Sequence, residues 1–270
     1  MGNYVSAVSH INWVDQEDCE LTATPVVDRM EASNVAIYHL GDVWRGSDLA
    51  SSSNEITLTG TFGSDRQVDR VAFWLPERRD DASDIDFEPS LTAADLVRWE
   101  LSPDVNTRGS LAAGGVDTNF VASGIDPYWG VHDKAVALAN CRRFDLTIRF
   151  ATPKVAPFDQ FDIGRVWLGP AFRFAVNFDY GNAWEPDEDE YANPIRRWQF
   201  QWSHIRESER PALEQLLFTT RKRRQILLIP KWGTENGAAF TRRTSAARIS
   251  TRHFRAQQLP LTFQEDVAGD

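Results

Sequence analysis

Three groups of residues in this 270-residue sequence could do chemistry. The first is the acidic run Asp187-Glu188-Asp189-Glu190, whose carboxylates are of the type that glycoside hydrolysis sets on either side of a scissile bond. Adjacent acids on an extended chain point in alternate directions, so the run reads as a solvated loop. Asp80, Asp81, Asp84 and Asp86 form the second group, which could hold calcium with help from backbone carbonyls; an exposed acidic loop is the competing reading. The third group is aromatic. Ten tryptophans are present, among them Trp13, Trp44, Trp74, Trp99 and Trp129 in the first part of the chain. Such rings stack on sugars or fill cores and interfaces. Trp129, beside Tyr128 in GIDPYWGVHD, is the candidate glycan contact.

Other chemistries lack their residues. Cys19 and Cys141 are the only cysteines, which suits small core residues in a reducing compartment and no disulfide framework. None of the five histidines lies within five residues of another, so no zinc ligand set is visible. No Gly-rich phosphate loop and no Gly-x-Ser-x-Gly elbow occur. The expectation is therefore a protein that is not an enzyme, with no catalytic residue, metal or cofactor. Before Arg165 stand 13 basic and 26 acidic residues, and from Arg165 onward 16 and 13. The acidic first part should repel nucleic acid. No apolar run is long enough for a bilayer span, and the N-terminus is not read as a signal peptide, so no membrane insertion is expected.

The elements that must position these residues are mostly strands. NEITLTGTFG (Asn54–Gly63) alternates apolar and polar residues, with Gly60 read as permitting a bend. VDRVAFWL (Val68–Leu75) is a dense β-former run. In RRFDLTIRFA (Arg142–Ala151), Phe144, Leu146, Ile148 and Phe150 alternate with Arg143, Asp145, Thr147 and Arg149, giving one apolar and one charged face. LTAADLVRW (Leu91–Trp99) reads as a helical turn or two. Further on, RRWQFQWSHI sets Trp198, Phe200 and Trp202 on one face, with Arg197, Gln199, Gln201 and Ser203 opposite. ESERPALEQLLF reads as a helix capped by Ser208, with Pro211 in its first turn and a stripe of Leu213, Leu216 and Leu217. QILLIP, ARISTRHF and LPLTFQED read as strands.

FDIGRVWLGPAFRF (Phe161–Phe174) then reads as a domain junction, with Gly164 and Gly169 allowing close approach or positive φ. IGRVWLGPAFRF followed by NFDYGNAW resembles a junction in tail-tip proteins of long-tailed bacteriophages. The Trp44-Arg45 element and the strands Asn54–Thr61, Val68–Trp74 and Phe144–Phe150 resemble a discoidin or galactose-binding β-sandwich. Arg197–Ile205, Glu209–Thr219, Ile226–Ile229 and LPLTFQED resemble the ring-forming domain of distal tail proteins, with the order of the two modules reversed.

The expected fold is mainly β: a galactose-binding-like antiparallel jelly-roll sandwich over residues 1–162, then a smaller α+β tail-type domain over 163–270. The resemblance implies a structural virion protein of the distal tail (baseplate). It would be assembled in the bacterial host cytoplasm as a homo-oligomeric ring, a hexamer, joining the tail tube to tail-tip hub proteins. The alternative is a carbohydrate-binding protein recognising host surface glycans. Ring closure needs heterologous contacts. The expected partners are the cationic turn with Arg221, Arg223 and Arg224 and the acidic run with Glu188 and Asp189, while Trp184 and Trp232 would add apolar contact.

Overall fold

The computed structural model describes residues 6–24, 31–36, 44–46, 54–75, 91, 94–121, 130–152, 161–175, 184–188, 194–220, 224–231, 237–245, 249–253 and 256–265. The chain divides into two compact units. One holds Asn12–Pro170, and the other combines Met1–Ile11 with Ala171–Ala268. Each has a hydrophobic cluster of its own. Every described strand pairing in them is antiparallel.

Strand β1 (Ala7–Ser9) opens the chain and belongs to the second unit. The first unit contains β2 (Cys19–Thr24), β3 (Trp44–Gly46), β4 (Glu55–Trp74), β5 (Leu96–Ser102), β6 (Val116–Val121), β7 (Val131–Arg149), β8 (Phe161–Ile163) and β9 (Arg165–Gly169). Its main sheet runs β2-β4-β7-β5-β6, with β9 joined to the far half of β4, while β3 and β8 form a separate ribbon. The period-two pattern directs the packing. Ile56, Leu58 and Phe62 of β4, Val97, Trp99 and Leu101 of β5, and Phe144, Leu146 and Ile148 of β7 share one buried cluster with Trp44, Phe161 and Ile163 of the ribbon. Fully burying one such side chain is worth roughly 1.5–3 kcal/mol, so this face fixes the register. The opposite face of the same strands becomes the polar surface described below.

Several expectations need correction. The two runs expected at 54–63 and 68–75 merge into one 20-residue strand, Glu55–Trp74, its register against β7 shifting three times between Thr61 and Arg70. Gly60 does not serve a bend: a Cβ built there would lie 2.1 Å from Phe144 Cε1, because the Phe144 ring covers the glycine across the strand pair. The tail of Leu91–Trp99 is not helical, since Leu96–Ser102 is β5, held between β6 and β7. A boundary at 162/163 would cut β8. Phe161–Gly169 forms β8 and β9, buried throughout, and the division falls at Pro170/Ala171. Neither Gly164 nor Gly169 has positive φ; Gly114 (76°) and Gly130 (59°) do. Arg165 is fully buried, its Nη2 2.7 Å from Asp15 Oδ2 and its Nη1 donating to the Val35 carbonyl.

The second unit adds β10 (Phe172–Arg173), β11 (Trp184–Glu188), β12 (Pro194–Ile205), α1 (Arg210–Thr219), β13 (Gln225–Ile229), β14 (Ala239–Arg243), β15 (Ser250–His253) and β16 (Ala256–Glu265). Its sheet runs β10-β1-β13-β14-β16-β12-β11, with β15 on β16. Trp198, Phe200 and Trp202 are buried as the alternation requires. Ser203 is buried too, next to a register shift between Trp202 and Ile205. Ser208 does not cap α1: it lies within a 3-10 turn, Glu207–Glu209, that precedes the helix. Glu209 does the tethering, its carboxylate accepting from Arg206 N at 3.0 Å and Ala175 N at 2.9 Å. Leu213 and Leu216 are buried and Leu217 packs against the same cluster.

Candidate binding cleft

The polar face of the first unit's sheet can be read row by row from the register. One row sets Thr24, Thr57, Thr147, Arg98 and Asn119 side by side, and the next sets Thr22, Thr59, Asp145, Glu100 and Asp117. Before these, Glu55 lies opposite Arg149, which lies opposite Leu96. Successive residues of a strand face opposite sides. The residues that bury Ile56, Leu58 and Trp99 on one side therefore raise this array on the other.

Ion pairs stitch the rows together. Arg98 grips Asp117 through Nε (3.0 Å) and Nη2 (2.5 Å), and its Nη2 also lies 3.2 Å from Glu100 Oε1. Arg143 binds both oxygens of Asp145 at 2.8 Å, and Thr59 donates to the same carboxylate at 2.6 Å. Arg149 donates twice to Glu55 Oε2, at 3.1 and 3.0 Å. Planar forks of this type fix both partners in one geometry.

Arg108 differs from these. It reaches the face from the turn after β5, which Asp104 stiffens by accepting from Asn106 N (3.0 Å) and Thr107 Oγ1 (2.9 Å). Those donors hold the Asp104 carboxyl below the usual carboxylate range. Arg108 stands 3.7 Å from Glu100 Oε2 and 3.8 Å from Asp145 Oδ1, too far for a hydrogen bond to either, and is about half exposed. Glu100 is only 4% exposed, yet its Oε2 has no hydrogen-bond partner. Burial raises its pKa, an effect that Arg98 and Arg108 only partly offset.

Two adjoining hollows lie over this array. One encloses about 180 Å³ between Glu55, Leu96, Arg98, Glu100, Arg108, Asn119, Thr147 and Arg149. The other encloses about 350 Å³ over Thr22, Thr24, Thr57 and Thr59, and shares Glu55 and Arg108 with the first. Among the described residues no cluster of three or more His, Cys, Asp or Glu could hold a metal. No described helix is long and apolar enough to cross a membrane.

Of the residues singled out in the sequence, Asp80, Asp81, Asp84, Asp86, Tyr128, Trp129, Asp189, Glu190, Arg221, Arg223 and Trp232 lie outside the described residues. Arg224 is exposed immediately before β13. Trp184 and Glu188 begin and end β11, so Glu185–Glu188 is strand where a loop was expected. Its register on β12 places Glu185 opposite Arg197 and Pro186 opposite Arg196. None of the cleft residues was singled out as a site. The signal for them was the charged face of residues 142–151, legible as a face but not as a hollow.

No family model matches the sequence, and no curated protein matches it. Solved structures give loose likenesses. One is chitosan-binding module 1 of a chitosanase/glucanase from Paenibacillus, with 12% identity over 62% of this chain and 98% of that one, at a TM-score of 0.41. Another is the family 32 carbohydrate-binding module of Clostridium perfringens NanJ in complex with galactose, with 11% identity over 62% and 99%, at 0.35. A third is a Ruminococcus gnavus fucosidase, with 10% identity over 60% of this chain, at 0.40; the alignment spans 27% of the fucosidase.

Proposed function

We propose that this chain is a non-catalytic carbohydrate-binding protein whose binding surface is the polar sheet face of its first unit. The observation that carries this reading is the cleft over Glu100, where a buried carboxylate oxygen lacks a partner and a half-exposed guanidinium stands just beyond hydrogen-bond distance. A sugar hydroxyl both donates and accepts, so it can serve a carboxylate and a guanidinium at once. Leaving a buried acceptor unsatisfied costs about 1–3 kcal/mol, which a ligand hydroxyl recovers. Arg98, Arg108, Arg143 and Arg149 balance Glu55, Glu100, Asp117 and Asp145, so the site favours a neutral ligand over an ion. The chitosan-binding and galactose-bound modules compared above are carbohydrate binders in their own right; the reading for this chain rests on its own cleft. Affinity electrophoresis of the full chain through gels containing neutral polysaccharides tests it. Retardation by at least one glycan is expected. Uniform mobility across the panel, or release of reducing ends from a bound glycan, would overturn it.

A ring-forming tail subunit is the second reading. Its support is that the four segments likened to the ring-forming domain, though not the junction at FDIGRVWLGPAFRF, adopt the expected elements: β12, α1, β13 and β16. Light scattering of the purified chain tests it, a closed oligomer being expected and a strict monomer sinking it.

A further inference from the structure

We propose that the cleft is a groove for an extended neutral oligosaccharide laid across the strands, gripped between Glu100 and Arg108. This inference rests on the carbohydrate-binding reading and deepens it. The two hollows are halves of one path, because Glu55 and Arg108 line both. That path begins over Thr22 and Thr24 of β2 and ends at Asn119 of β6, the two outer strands of the five-stranded order β2-β4-β7-β5-β6. Four inter-strand steps of about 4.8 Å give a run of roughly 19 Å, longer than a single sugar ring needs.

The polar groups along this path divide in kind. At the β2–β4 end they are hydroxyls, Thr22, Thr24, Thr57 and Thr59, which donate and accept with little directional demand. Over β5, Glu100 Oε2 and Arg108 Nη1 face each other at 3.7 Å, one short of a donor and the other hydrogen-bonded to neither of its neighbouring carboxylates. A ligand hydroxyl between them accepts from Arg108 and donates to Glu100. An anionic ligand would be opposed there by Glu100, and a cationic one by Arg108. The other three arginines are already gripped by Asp117, Asp145 and Glu55, so they hold the walls and leave Arg108 to meet the ligand.

The test is isothermal titration of the full chain with neutral β-linked gluco- and galacto-oligosaccharides, from monosaccharide to hexasaccharide. Affinity should climb with chain length, by about tenfold or more between the shortest and longest ligands that bind. Glu100→Gln and Arg108→Ala should each lower affinity for every length by about tenfold or more, as expected for a lost hydrogen bond to a charged group. Thr24→Val and Asn119→Ala, at the two ends, should weaken the longer ligands and spare the shortest. Circular dichroism melting confirms that each variant is folded. If a monosaccharide binds as tightly as a hexasaccharide, or the end variants weaken all lengths alike, the groove is not extended. If the protein binds oligosaccharides and the Glu100 and Arg108 variants leave affinity unchanged, the grip is elsewhere. A wild-type chain that binds no sugar of any length overturns instead the carbohydrate reading on which the inference depends.

Discussion

Gly60→Ala is the smallest substitution that tests how the binding face is built. Gly60 pairs with Phe144 across β4 and β7, and an added methyl would meet Phe144 Cε1 at 2.1 Å, Cζ at 2.6 Å and Cδ1 at 2.9 Å. The ring has little freedom to retreat. It is buried, with its centroid 5.9 Å from Phe62 and 6.4 Å from Trp99, both in the same core. Relief must come from an off-rotamer ring or a local parting of the strands, and overpacking of this kind costs about 1–3 kcal/mol. Alanine's lower unfolded-state entropy recovers about 0.4–1 kcal/mol, leaving a net loss on the order of 1–2 kcal/mol. Urea denaturation followed by far-ultraviolet circular dichroism reads that loss as a lower midpoint at unchanged slope. The double variant Gly60→Ala/Phe144→Leu should recover part of it relative to Phe144→Leu alone, since the two residues touch. A Gly60→Ala protein within 0.3 kcal/mol of wild type would refute the reasoning, because the ring would then not be fixed over the glycine. The same parting of strands would shift Thr59 and Asp145, the next pair along the ladder, so the variant should also weaken any ligand seated on the polar face.

Other expectations follow from buried charge. Arg70 and Asp133 form an ion pair with both side chains at 0% exposure, so Asp133→Ala should cost about 3–5 kcal/mol in urea denaturation, while Arg70→Met/Asp133→Leu should cost far less. His10 is held neutral, with burial and then Arg224 lowering its pKa from 6.5 to about 4. Its stabilising effect is complete above pH 6.5 and is lost as pH falls toward 4. On the order of 2–3 kcal/mol should therefore separate wild type from His10→Gln in the slope of stability across that window, and parallel curves would contradict it. Burial pushes both thiols up to about 12, Cys141 against the core and Cys19 with further help from Asp18 and Asp15. Iodoacetamide at pH 8 should label neither in the native protein and both in urea; rapid native labelling of Cys141 would show that its strand opens.

Where one face of a strand was apolar and the other polar, the sequence was sufficient. Residues 142–151, 197–202 and 259–263 fold as their alternation requires, because a slip of one residue would expose Phe144, Trp202 or Leu261. Misreadings came where partners distant in sequence decide. Leu96–Ser102 is a strand because β6 and β7 flank it, which no local propensity records. Arg70 and Arg165 broke the apolar pattern, and both are buried against carboxylates 63 and 150 residues away. The cleft was hidden for the same reason. Glu100 and Arg108 lie eight residues apart, but Asp145, Glu55 and Thr22 reach them only through strand register. The order β2-β4-β7-β5-β6 has to be known before these residues form a surface.

The ion-pair lattice beneath the cleft also bears on whether the surface is built to bind. Two of its carboxylates, Glu100 and Asp145, are buried, and the desolvation of a buried pair offsets much of its attraction, so four arginines and four carboxylates on one sheet face are an ineffective way to hold it together. The core face already does that through Trp99, Phe144 and their neighbours. What the lattice provides is rigidity. Arg98, Arg143 and Arg149 each donate through two nitrogens to a carboxylate, so their rotamers are set before any ligand arrives. Ordering a long side chain on binding costs roughly 0.5–1.5 kcal/mol, and walls ordered in advance avoid that cost. Against such walls the few groups left unsaturated carry the recognition, and here they meet at one point, Glu100 Oε2 and the guanidinium of Arg108. A lattice serving stability alone would have closed that last gap.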